Sequence, residues 1–157
     1  MKNSKTKGFV RVFIALVLFF LVSCEKELTT EAAKVKPPVR TYIVTARADK
    51  KGTNSTSIGT AVLKGQYDED TKQLNYSLEY SDIEPQLITL RSGPKGTVGT
   101  FVKELYNKQE GKTTAIKGVF SLTPLQERNM LKGLWFVSVS TSAMSPEISG
   151  VLTLKQQ

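Results

Sequence analysis

The sequence predicts an all-β, antiparallel sandwich or barrel that carries one short helix. Three observations lead there. Apolar and polar residues alternate with a period of two in several segments between residues 41 and 155, the mark of half-buried strands. Turn-forming residues interrupt those segments every ten residues or so, as in sandwiches and barrels. A single segment, opening at Thr123-Pro124, has the chemistry of a helix start instead.

The strands follow in order. Tyr42-Ile43-Val44-Thr45-Ala46-Arg47 and Ala61 to Tyr67 both alternate, and the pattern is cleanest where Leu74, Tyr76, Leu78 and Tyr80 interleave with Gln73, Asn75, Ser77 and Glu79. It returns in Trp135 to Ser140 and in Ile148 to Leu154. Asp68-Glu69-Asp70, Ser92 to Gly96, Asn107 to Gly111 and Ser145-Pro146 supply the turns. The helix is expected from about Pro124 to Lys132, with Thr123 as N-cap, Gln126 completing a capping box and Gly133 ending it. Leu125, Met130 and Leu131 give it a short apolar face.

The N-terminus has a different character. Lys2, Lys5, Lys7 and Arg11 precede an unbroken apolar run from Val12 to Val22. A run of this kind falls short of the ~20 residues that cross a bilayer core and matches a secretory signal peptide. Leu21-Val22-Ser23-Cys24 resembles the lipobox of bacterial lipoproteins. By that resemblance, residues 1–23 are a signal peptide and Cys24 is lipidated, making the membrane a partner through that lipid. Residues 24–40, charged and then stopped by Pro37-Pro38, read as a flexible tether, which leaves 41–157 as one domain. Glu25 and Glu27 beside the cysteine loosely resemble a surface-export signal; a plain solvated linker is the alternative.

That processing changes the charge argument. The full chain holds 22 basic and 14 acidic residues, but residues 1–23 contain four of the basic ones, so the remainder balances at 18 against 14. Half of the excess that would suggest nucleic acid resides in the signal peptide, and no nucleic-acid partner is expected. Cys24 is also the one cysteine, so there is neither an intramolecular disulfide nor a thiol for catalysis.

The order of further segments is similar to the CHRD domain, a module named from chordin and found in many bacterial secreted proteins. The segments are Gly59 to Leu63, Leu74 to Tyr80 with Ile83-Glu84-Pro85, and the glycine-rich Gly93 to Gly99. Ile116-Lys117-Gly118, Leu122 to Leu131, Gly133 to Thr141 and Pro146 to Leu152 complete it. The resemblance implies an immunoglobulin-like β-sandwich or barrel. It also exposes a departure. Relatives commonly carry His-x-His before the glycine-rich turn, where this chain has Thr89 and Arg91, and it has no histidine anywhere. Metal binding by such a pair is therefore not carried over.

The same absence bears on chemistry. Without histidine or a free cysteine, ordinary zinc and copper ligand sets and a His-based triad are missing, and no metal or other cofactor is expected. Asp68, Glu69 and Asp70 are the acidic cluster open to carboxylate catalysis or calcium, but their place in a hairpin turn suits plain solvation. Gly93 to Gly99 lacks the following helix that would make a phosphate loop.

Two sets of binding candidates remain. Arg91, Lys95 and Lys103 could form a basic patch for an anionic glycan or lipid headgroup. Trp135 and Phe136 should point to opposite faces of their strand; an outward Trp135 would suit sugar stacking or a protein contact, while the simpler reading buries it against Leu125 or Met130. The expectation is a lipid-anchored, non-catalytic envelope lipoprotein, at the outer membrane on its periplasmic face or at the cell surface, with an unknown protein or glycan partner. An envelope enzyme of another type, marked by two converging carboxylates, is the alternative, as is a basic module for anionic polymers.

Overall fold

The computed structural model describes residues 38–94, 97–108 and 116–157. The chain divides into two units between Pro37 and Pro38, and residues 38–157 form the second of them. The expected signal peptide, the lipidation at Cys24, the tether as far as Pro37 and the candidate Lys95 lie outside the described residues.

Eight antiparallel strands build the domain: β1 (Thr41–Ala48), β2 (Thr60–Asp68), β3 (Gln73–Ser81), β4 (Leu87–Ser92), β5 (Thr100–Asn107), β6 (Ile116–Ser121), β7 (Trp135–Ser140) and β8 (Ile148–Gln156). A helix, α1 (Pro124–Leu131), lies between β6 and β7. The order across the sheet is β5-β4-β7-β8-β1-β2-β3-β6. The sheet folds over on β8, which pairs with β7 through Ile148 to Val151 and with β1 through Leu152 to Gln156. Its two arms thus face each other as a nearly closed sandwich or barrel, the fold class expected.

Alternation explains which side of each strand turns inward. Val44, Ala46 and Ala48 of β1, Ala61, Leu63 and Tyr67 of β2 and Leu74 and Leu78 of β3 are all buried, while their neighbours face water. Aromatic rings then span the gap between the arms. Phe120 of β6 stacks on Trp135 of β7 with centroids 6.1 Å apart and planes 6° from parallel, and Tyr80 of β3 meets Tyr106 of β5 at 6.1 Å. Among the described residues, every buried hydrophobic residue lies between Val44 and Leu152, and residues 38–157 form one compact unit.

The helix begins as its sequence dictates. Thr123 accepts from the Gln126 amide, and the Gln126 side chain accepts from the Thr123 amide. Met130 is its one buried residue, and Leu125 stays 57% exposed.

Candidate functional site

On the outer side of β7 and β8 lies an open groove of about 800 Å³. Its floor is Trp135–Phe136 and Ser149–Val151, and three loops make its walls, through residues 49 and 51–54, through Gly93, Thr97 and Val98, and through Met144 and Pro146. The Trp135-Phe136 pair, the glycine-rich turn and the Ser145-Pro146 turn, separate in sequence, meet here.

Each wall is tied down by its own residues. Asp49 exchanges two backbone hydrogen bonds with Ser149, and its carboxylate accepts from the Lys51 amide at 2.8 Å, starting a single 3-10 turn over Lys50–Gly52. Thr53 then donates its hydroxyl to the Glu147 carbonyl at 2.7 Å. The second wall hangs on Arg91, whose Nε donates to the Val98 carbonyl at 2.6 Å and whose Nη2 donates to that of Gly99 at 3.1 Å. Gly99 has φ +63°, and the Phe136 ring lies 2.8 Å from where a Cβ would sit, so only glycine fits. In the third wall, Thr141 donates to the Glu147 carboxylate while its hydroxyl oxygen accepts from the Ala143 and Met144 amides. Hydroxyls of Ser57 and Thr141 hold the Glu147 carboxyl below its usual range.

The floor is shaped by a missing side chain. At Gly150 a Cβ would press into the Arg47 carbonyl and lie 2.6 Å from the Ala48 amide nitrogen, so β8 can turn from one arm to the other only without one. The lips of the groove are aliphatic: Val98 is 69% exposed, Val151 41% and Met144 38%. Arg47 and Lys51 add positive charge, and Asp49 is the acidic residue of the lining. Such a surface can bind an apolar segment with acidic character.

Several sequence expectations need correction. Arg91 is not a free cation; it is spent on the loop carbonyls, because its strand position places it beneath them. Lys103 is exposed on β5. Trp135 has no exposed surface, as the simpler reading expects, although the ring stacked on it is Phe120, and Phe136 is buried too, at 8% exposure. One ring does not point out to solvent, because β7 is an interior strand covered on both sides: Phe120 stacks on Trp135, while Gly99 of the 93–99 turn lies against Phe136. The Trp135 indole N–H has no hydrogen-bond partner. Thr89, at the first position of the family's His-x-His spacing, is buried opposite Ser138.

The acidic residues have structural tasks. Asp68 accepts from the amides of Asp70 and Thr71, closing the β2–β3 turn, and Glu69 accepts from the Tyr42 hydroxyl. Among the described residues, no group of three or more His, Cys, Asp or Glu is placed to hold a metal ion. A second, shallower cleft is lined by Asp82, Glu84 and Glu147, but Glu84 is 91% exposed and 3.8 Å from Lys108.

Sequence reasoning missed Glu127. It leaves the first turn of α1 to accept from the buried Tyr67 hydroxyl at 2.6 Å and from Lys72 Nζ at 2.8 Å. Burial would raise its pKa, but the two donated hydrogen bonds and the Lys72 charge together lower it. Burial, then the bond to Glu127, pushes the Tyr67 phenol up. The sixty residues between Tyr67 and Glu127 leave no local signal.

Comparison with protein-family models matches the CHRD domain over residues 40–152. No curated protein and no solved structure matches the chain. That match covers more than two thirds of the sequence and contains β1 to β7, α1, the three loops of the groove and its floor; the chain belongs to the CHRD domain family.

Proposed function

We propose that the chain is a lipid-anchored, non-catalytic lipoprotein of the cell envelope, at the outer membrane, whose β domain binds a protein partner in the groove over β7 and β8. The groove carries this reading: three loops, each fastened by its own side chain, stand on a rigid two-strand floor. Binding sites are commonly loops positioned in that way. Its aliphatic lips and buried rings favour an extended protein segment over a glycan, since no ring in the lining is free to stack on a sugar. Arg47 and Lys51 favour acidic character in that segment.

Two observations support binding over catalysis. Glu127 and Glu147 are held as carboxylates, the opposite of what a general acid needs. Asp49 alone supplies a carboxylate to the groove. The lipobox resemblance at Cys24 supports the anchor.

Capture from solubilised envelope tests the binding. The wild-type chain should retain a protein that the double variant Val98→Glu, Val151→Glu does not, since both side chains are exposed and their replacement leaves the core intact. Equal capture by both chains would defeat the groove. Cys24→Ala should move the protein out of the membrane fraction; full retention there would defeat the anchor.

A further inference from the structure

The outer face of the β8-β1-β2-β3-β6 arm is a second surface, with features the groove does not explain. The cross-strand registers place its side chains in rows. One row runs Thr153, Thr45, Lys64, Ser77, Lys117, and the next runs Lys155, Ile43, Gln66, Asn75, Val119. Arg47 stands on the same face, opposite Val62 and, across it, Glu79. Three lysines and Arg47, which also lines the groove, thus share the face with two carboxylates, Glu79 and Asp68, and none of the four cations forms an ion pair among the described residues. Ile43 and Val119 lie among them, 41% and 57% exposed. Asp68 stands at the edge of the face, opposite Thr41, where its carboxylate accepts from the Asp70 and Thr71 amides, and Glu69 of the turn that follows accepts from the Tyr42 hydroxyl.

We infer that this face docks on an anionic membrane surface, its lysines meeting lipid phosphates and its aliphatic residues the headgroup boundary. Charge complementarity and tether length point to a bilayer as the occupant, and the inference rests on the anchored reading above. The face spans four strand spacings, roughly 19 Å. Sixteen residues separate Cys24 from Thr41, a reach of about 50 Å when extended, enough to lay any side of the domain on the bilayer. Each lysine near an anionic surface strengthens attachment about fivefold. Such docking is weak for a free domain, but tethering raises the effective concentration to the millimolar range.

Co-sedimentation of residues 38–157, which lack Cys24 and form one compact unit, tests the face directly. At low salt they should bind vesicles of equal phosphatidylglycerol and phosphatidylcholine but not pure phosphatidylcholine, and added salt should release them. The triple variant Lys64→Thr, Lys117→Thr, Lys155→Thr should bind about a hundredfold more weakly, and the same three positions as Arg should bind like wild type. All three positions are exposed, and circular dichroism checks the fold. Equal binding to neutral vesicles, an unchanged triple variant, or capture by a soluble polyanion such as heparin without vesicle binding would each overturn the inference. Failure here leaves the Cys24→Ala result untouched, so the two readings fail separately.

Discussion

Gly150 sits where β8 leaves one arm of the sheet and joins the other. Replacing it with alanine places a Cβ against three backbone atoms of β1, the nearest being the Arg47 carbonyl oxygen, with the Ala48 nitrogen 2.6 Å away. A comfortable contact needs about 3.5 Å, so β1 and β8 must part by roughly 1.5 Å at the position where their ladder continues. A flexible side chain could swing aside; backbone held in two ladders cannot. Overpacking of this kind costs ~1–3 kcal/mol, and backbone neighbours place Gly150→Ala at or above the top of that range. For a domain of this size that is a fall of about 10 °C in melting temperature. Gly133→Ala is the matched control. Nothing lies within 4 Å of its would-be Cβ, and only its φ of +70° is strained, which costs ~1–2 kcal/mol. Thermal unfolding followed by circular dichroism compares the two. If Gly150→Ala melts with the wild type, or no lower than Gly133→Ala, the close approach of β1 and β8 is not what makes glycine necessary there.

Other tests reach the remaining structure. Trp135→Ala should destabilise by ~3–5 kcal/mol, and the native chain's fluorescence, from its one tryptophan, should resist iodide quenching; ready quenching would place the ring outside the core. Thr123→Ala, which removes one half of the capping box, should cost about 1 kcal/mol in denaturant unfolding. Glu127 links stability to pH. Its folded pKa lies below the usual 4.5, so its contribution is complete above that value and is lost as pH falls through the folded pKa. Wild type should therefore lose stability below about pH 4.5 more steeply than Glu127→Gln, and parallel curves would refute the link. Arg91→Ala should loosen the 93–99 wall and weaken partner capture to a similar degree at low and high salt, whereas steep salt dependence would restore Arg91 to a ligand-binding role.

The strands most legible in the sequence are those with one wet face. In β1, β2 and β3 the core covers one side only, so period two shows in the residue types, and the expected bounds differ from the observed ones by a residue or so at either end. Strands covered on both faces keep their bounds, as β7 does at Trp135–Ser140, but lose the inward–outward distinction. β4 and β7 are covered on both sides, and this is why both Trp135 and Phe136 are buried. β5 carries register shifts against β4, which break its alternation, and β6 contains Gly118 because the Tyr76 ring lies over it. The helix was readable because a capping box is written in four consecutive residues. The groove was not. Its pieces come from residues near 50, 95 and 145, and only the sheet order brings them together. Arg91 shows the same limit, since a cation bonded to carbonyls and a cation facing solvent are identical in sequence.

The pairing of β1 with β8 has a consequence for when the domain can form. These neighbours are the first and last strands, and through β8 each arm of the sheet reaches the other. A chain that lacks residues 148–156 has two half-sheets and no seam to join them. The core cannot close by local zippering, and folding waits on a contact between residues more than a hundred positions apart.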